Sequence, residues 1–352
     1  MHENTPWGFS TWGDPRLTAQ ARTATGDLDQ ALCVARSLES LAEGLGTDST
    51  PLIRALATLG SVDLSTARAA EPHLDATAIL AQARRAGHAV PEITGPYTWG
   101  VYAASAPGAS LRATGPRGRE GEWSLSGSKA WCSLGGRVSH ALVTAADESG
   151  AQRLFAVGLR SGGVSFDGGS WQPRGLREIS TGTLTFHGHS ARAIGGPGWY
   201  LERPGFFWGA IGVAAIWFGA AAALAGTLWR AASARTPDQI ALTHLGRCDV
   251  LLHGAQLVLA DAARHIDDPG SAPEAAAVLA ARVRAHVAAV AEEVLTVVGH
   301  ALGPAPLALD GEHAARVADL TLYLRQHHAE RDLARLGQMV SRAEVGGGRE
   351  PR

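Results

Sequence analysis

Residues whose types and spacing could do chemistry concentrate in WSLSGSKAWCSLGG, residues 123–136. Two tryptophans stand eight apart, three serines alternate, and the only lysine of the chain, Lys129, sits between aromatics and hydroxyls. The pattern predicts a strand, a tight step and a second strand. A tryptophan beside a serine can offer a flat π-face and a hydroxyl to a planar ligand. The same tryptophans serve equally as core aromatics of a barrel, and on these residues alone both readings stand.

Other constellations carry less. His187 and His189 in TFHGHS would share one strand face, as two metal ligands might. No third ligand accompanies them, so they read as barrel surface and no metal is expected. His73 and Asp75 in EPHLDA fall in a helix, where a lone histidine is usually structural. YLRQHHAERD reads as a solvated helix face. No P-loop, no strand–GxGxxG–helix unit and no nucleophile elbow is found.

The elements that must position the 123–136 segment divide by texture. Up to about residue 92 the chain reads as helices. LDQALCVARSLESLAEGLG has apolar residues at helical spacing and ends in glycine. STPLIRALATLG opens with a cap and a first-turn proline. DLSTARAAEPHLDATAILAQARRAG follows, with an interruption expected at Pro72. From about 93 to 194, short alternating runs (WGVYAAS, EWSLSG, HALVTA, RLFAVGL, TGTLTFHG) alternate with turn-rich separators, predicting an antiparallel sheet or barrel. From 195 to about 342 the chain is helical again. A helix is expected to open on Thr236, Pro237 and Gln239, and GGPG at 195–198 reads as the turn between domains. The tail 343–352 reads as disordered. Fold class is therefore α+β, with helices, strands and helices in that order.

The 352 residues carry a formal net charge of −2, with 18% charged residues, which gives no basic footprint for nucleic acid. Cys33, Cys132 and Cys248 are odd in number and widely spaced, predicting reduced thiols in a cytoplasmic protein. The start, MHENTPWGFSTWGD, lacks the features of a signal peptide. GFFWGAIGVAAIWFGAAAALAGTLW, 205–229, has no charge over a length that could span a membrane. Its small residues also suit the centre of a helical bundle, and that buried, non-membrane placement is the expectation.

The order of elements, with the 123–136 segment inside the strand region, resembles the acyl-CoA dehydrogenase family of flavoproteins. The resemblance implies an N-terminal helical domain, a middle β-barrel and a C-terminal helical bundle, with FAD between barrel and helices in a homodimer or homotetramer. The family's Lys-x-Trp-Ile-Thr-Asn-Gly step reads Lys129-Ala-Trp131-Cys-Ser133-Leu-Gly135. Trp131 would lie along the flavin and Ser133 near its N5. The family's Tyr-x-x-Thr-Glu-Pro-Gly reads Tyr102-Ala-Ala-Ser105-Ala-Pro-Gly108, which puts Tyr102 and Ser105 at the pyrimidine side. For the adenosine end the resemblance offers Arg235 and a Thr296-Val-Val-Gly299 counterpart of a turn supplied by a neighbouring subunit.

The catalytic position departs from the family. The usual glutamate follows an Arg-Asp pair by eight residues; here the pair is Ala318-Asp319 and the residue eight on is His327. The alternative position, in the long central helix, falls near Gly212 and carries no acid. Three readings follow. One is a dehydrogenase of an acyl thioester, CoA-bound or similar, with His327 as a non-standard base and an electron-transfer partner; His328 or Glu330 could substitute in a shifted register. Another is a flavin monooxygenase on the same fold, like the dibenzothiophene and hydroxyphenylacetate monooxygenases. The last is a flavin- or acyl-binding subunit without turnover.

Overall fold

The computed structural model describes residues 12–117, 122–270 and 272–346. The start of the chain read for a signal peptide therefore falls largely outside the described residues. So do residues 347–352 of the expected tail, while 343–346 complete the last helix.

Short polar caps start the N-terminal helices. Asp14 accepts from the amides of Arg16 and Leu17 to open α1, Pro15–Ala24, and Asp27 does the same for α2, Leu28–Ser37. The helix expected to run on toward Gly46 breaks at Leu38 and resumes for one turn, Glu39–Glu43. α3 spans Thr50–Val62 with Pro51 in its first turn. α4, Leu64–Arg85, is capped by Asp63 and runs straight through Pro72, where a break was expected. Burial of fifteen α4 residues outweighs the one backbone hydrogen bond that the proline removes.

Strands β1 (Trp99–Tyr102), β2 (Leu111–Arg117), β3 (Glu122–Ser133), β4 (His140–Ala146), β5 (Gln152–Gly158), β6 (Val164–Asp167) and β7 (Thr181–Ile194) follow. The path β4–β2–β3–β7–β5 closes on itself through the β4–β5 pairing, so the sheet is a barrel. β1 extends it beside β4 in parallel, and β6 lies beside β7. Closure leaves few open edges. The interior holds Tyr102, Leu125, Val143, Phe155, Leu184 and Phe186.

Gly195 and Gly198, both at positive φ, turn the chain back toward the helices. α5, Trp208–Ser233, is the apolar helix and lies in the core, with 89% of its most apolar window buried. Its small residues permit backbone contact with α3. A Cβ at Gly60 would stand 2.2 Å from the Ile216 carbonyl oxygen, and one at Gly219 would stand 2.0 Å from that of Ala57. α6, Gln239–Ile266, is capped by Asp238, which accepts from Ala241, rather than by Thr236. α7, Pro273–Leu302, and α8, Gly311–Tyr323, complete the bundle around α5. The last segment is not one helix. A 3₁₀ turn, Leu324–Gln326, interrupts it, and α9 restarts at Glu330 with Ala329 at positive φ.

Candidate functional site

An extra residue makes the step. Lys129 pairs with Leu184 and Cys132 with Gly182, so three residues of β3 advance against two of β7. The bulge falls at Ala130 and Trp131, and Trp131 takes φ +62, a strained value for a bulky residue. The turn throws the indole out of the barrel, leaving it 56% exposed, with Trp171 edge-on at 6.2 Å. Lys129 does no chemistry there. Its ammonium is buried and donates to the carbonyl and hydroxyl of Thr144, tying β3 to β4. Burial pushes the Cys132 thiol up to about 12, an inert group.

Ser133 is held from three sides. The Tyr102 hydroxyl donates to its carbonyl at 2.8 Å, the Thr181 hydroxyl lies 2.9 Å from its Oγ, and Arg68 Nη2 donates to that Oγ at 3.2 Å. Tyr102 is thus a support beneath the step, buried in the barrel core, and its side chain lines no open surface. Ser105 is exposed in the loop after β1, on a turn closed by the Ala106–Ala109 bridge.

Arg68 leads to a group of residues of which only Asp75 was singled out from the sequence, and not as a site. Arg68, Glu71 and Asp75 recur on one face of α4. Arg68 Nη1 meets Glu71 Oε2 at 2.9 Å, and the guanidinium lies over the Tyr323 ring at 5.9 Å. Glu71 and Asp75 line a narrow cavity with Leu52, Leu56, Trp208 and Gly212, so an acid does face the Gly212 position, supplied from α4. Burial raises Glu71 to about 7, although Arg68 opposes it, and burial raises Asp75 as well. Nearby, the hydroxyl of the buried Tyr323 and the ring N–H of Trp217 have no hydrogen-bond partner among the described residues. The signal was present in the sequence as three charges on one face of an alanine-rich helix, but the expected break at Pro72 obscured it.

His327 sits at the break between α8 and α9, not on a helix face. Its Nε2 is buried without a hydrogen-bond partner and lies 3.9 Å from Asp332. Burial first, with Asp332 opposing, moves its pKa below the ordinary value. Arg284 donates to the neighbouring Gln326 carbonyl, and its charge reaches Glu71. No hydrogen bond joins His327 itself to Ser133 or Glu71. His328 is exposed, and its amide is capped by Asp332. Asp319, the landmark eight residues earlier, accepts from the Leu176 amide at 2.5 Å, which fixes the loop carrying Trp171.

Arg235 is exposed in the loop after α5. Thr296 and Gly299 lie exposed within α7 rather than in a turn, and Thr296 donates to the Glu292 carbonyl. Among the described residues, the hydrogen-bond partners of Ser133 named above include none of the three. His187 and His189 do not share a face: a bulge at Gly188 leaves His187 exposed and buries His189 against the carbonyls of Gly158 and Gly162. His73 is structural, bonded to Glu39 and accepting from the Trp99 amide.

The residues fit a flat ring system. An outward tryptophan, a second one beside it and two hydroxyls stand at the barrel edge against α4. A flavin, with its planar ring and polar edge, matches that donor set.

No protein-family model and no curated protein matches the chain. Solved structures do. The dibenzothiophene monooxygenase TdsC from Paenibacillus sp. A11-2 superposes with TM-score 0.72 and 16% identity, over 92% of this chain and 94% of that one. The nitrososynthase from Micromonospora carbonacea var. africana gives TM-score 0.73 and 19% identity, over 96% of each chain. Butyryl-CoA dehydrogenase from Megasphaera elsdenii gives 0.74 and 17%, over 94% of this chain and 95% of that one. The chain is an α+β protein with the acyl-CoA dehydrogenase-like fold.

Proposed function

We propose that the protein is a flavin-dependent oxidoreductase. One observation carries the reading: the bulge in β3 presents Trp131 outward beside Ser133, on the side of the barrel that α4 covers. A flavin bound there would supply the acceptor for the electrons of the oxidation. Trp131 would bind its flat face, Ser133 and Thr181 would bond its polar edge, and Tyr102 would hold the step rigid. Reconstitution with FAD and FMN tests this. Protein that takes up neither, judged by its visible spectrum after desalting, sinks the proposal.

The finer reading is a dehydrogenase of an acyl thioester or similar compound. Its non-standard base is better supported at Glu71 than at His327, because Glu71 is joined to Ser133 through Arg68 and lines the cavity. A carboxylate titrating near neutrality suits proton abstraction. A second reading, monooxygenation, draws on the buried, unpartnered Nε2 of His327 and on the missing acid at that position. Anaerobic mixing of the flavin-loaded protein with a panel of acyl-CoAs separates them. Bleaching by substrate alone means dehydrogenase; bleaching only by an external reductant, with product after oxygen is admitted, means monooxygenase. Response to neither leaves a binding subunit.

For the cofactor we propose FAD, its adenosine end held by Arg235 and by the Thr296–Gly299 segment of a second copy. FMN as the only flavin retained after mixed loading would remove that. A cytoplasmic location is proposed on the three free cysteines, and an electron-transfer partner belongs with the dehydrogenase reading alone.

A further inference from the structure

Among the described residues, the charged group in hydrogen-bond contact with Ser133 is Arg68. A hydroxyl has one proton and two lone pairs, and a guanidinium can only donate. Arg68 therefore occupies a lone pair of Ser133 Oγ. The bond to Thr181 Oγ1 can run either way. When Thr181 turns its one proton from the Ile179 carbonyl, 3.5 Å away, to Ser133, the Ser133 proton is free to point at the ring. The arginine side chain is largely buried, 15% exposed, and so is Glu71 at 16%. A buried ion pair contributes little net stability compared with an apolar pair. Packing alone thus gives no reason for its place beside this hydroxyl.

Resting on the flavin reading above, we propose that Arg68 is a positioning residue for the cofactor: it fixes Ser133 as a hydrogen-bond donor toward the ring and holds a positive charge behind it, balanced by Glu71. Burial works most strongly against the Arg68 charge, but Glu71, Tyr323 and Tyr102 together outweigh it, so the guanidinium stays charged. A positive charge close to the ring favours the electron-rich, reduced form, and does so more strongly out of water. Glu71 sets how much of that charge is felt. Ionised, it offsets Arg68; protonated, it leaves the cation uncompensated. The groups facing Glu71 are Arg68 and Asp75 on α4, Arg284 on α7, Tyr323 on α8, and Tyr200 in the one-turn helix after the barrel.

Potentiometric titration of the flavin-loaded protein at pH 6 and pH 8 tests this without any substrate. In Arg68→Gln the reduced form should lose at least tenfold in relative stability, about 30 mV more negative for a two-electron couple. Arg68→Lys, which keeps the charge, should recover most of that loss. Glu71→Gln should shift the potential the other way at pH 8, by a similar factor, and match the parent more closely at pH 6. Arg68→Gln and Glu71→Gln that hold flavin with the parent's potentials at pH 8 would overturn the assignment. If Arg68→Gln does not fold, Glu71→Gln decides by itself. A parent protein that retains no flavin overturns the flavin reading and this inference with it. Flavin bound with unmoved potentials removes only the role of Arg68.

Discussion

Trp131 owes its exposure to one extra residue in one strand. Register alone turns a side chain that alternation would otherwise assign to a face into an outward platform, at the cost of a positive φ. Trp131→Ala should weaken flavin binding by roughly tenfold, as expected for a lost aromatic contact of about 1 kcal/mol or slightly more. Quenching of flavin fluorescence measures it, and unchanged affinity would dissociate Trp131 from the ligand. Glu71 makes a second prediction at this scale. Its folded pKa of about 7 lies above the ordinary 4.5, so the native state binds the extra proton between those values. Its contribution to stability is full below about pH 4.5 and is lost as pH rises through about 7. Urea unfolding at pH 5 and pH 8 should show Glu71→Gln losing less stability on the rise in pH than the parent. Equal losses would mean that Glu71 is ionised throughout.

At the scale of elements, legibility depended on how local the cause was. Periodicity marked the helix that begins at Leu28, and its start rests on Asp27 bonding amides two and three residues away. The helix that Asp14 caps in the same way was not read from the sequence. Pro72 was carried through by packing from a distance. The α8–α9 break comes with Ala329 at positive φ, and the start of α6 is as local as the others, Asp238 rather than Thr236 bonding the amide three residues on. The consequence for the site was direct, since the supposed break at Pro72 hid the Arg68–Glu71 face and the supposed continuous helix misplaced His327. The apolar stretch 205–229 was legible as a core helix because its alanines and glycines allow close approach. Gly219→Ala would drive a methyl into the Ala57 carbonyl, 2.0 Å from where it must sit. Overpacking of that kind costs about 1–3 kcal/mol. Thermal unfolding should show a lower midpoint, and an unchanged one would mean that α3 and α5 separate freely.

The whole molecule sets a barrel against a helical body, with the candidate site where α4 meets the step in β3. Its outer surface carries Val250 and Leu257, 73% and 57% exposed and seven residues apart on one face of α6. That stripe is where we place the contact of the proposed homo-oligomer. Val250→Glu with Leu257→Glu should convert the parent assembly to a species of monomer mass, 36.5 kDa, in light scattering after gel filtration. A parent already at that mass would remove both the oligomer and the second copy invoked for FAD. What the sequence determined by itself was the order of helices, strands and helices and a strand leading into the step at Trp131. These follow from periodicities and turn residues that act within a few positions. The second strand expected beyond the step is a turn, and β3 ends at Ser133. What only the tertiary structure decided was which groups meet across sequence distance: Ser133 with Arg68, Glu71 with the Gly212 wall, and Asp319 with the Trp171 loop. Those contacts depend on burial, and burial of a charged face on α4 exists only once the barrel and the central helix have closed around it.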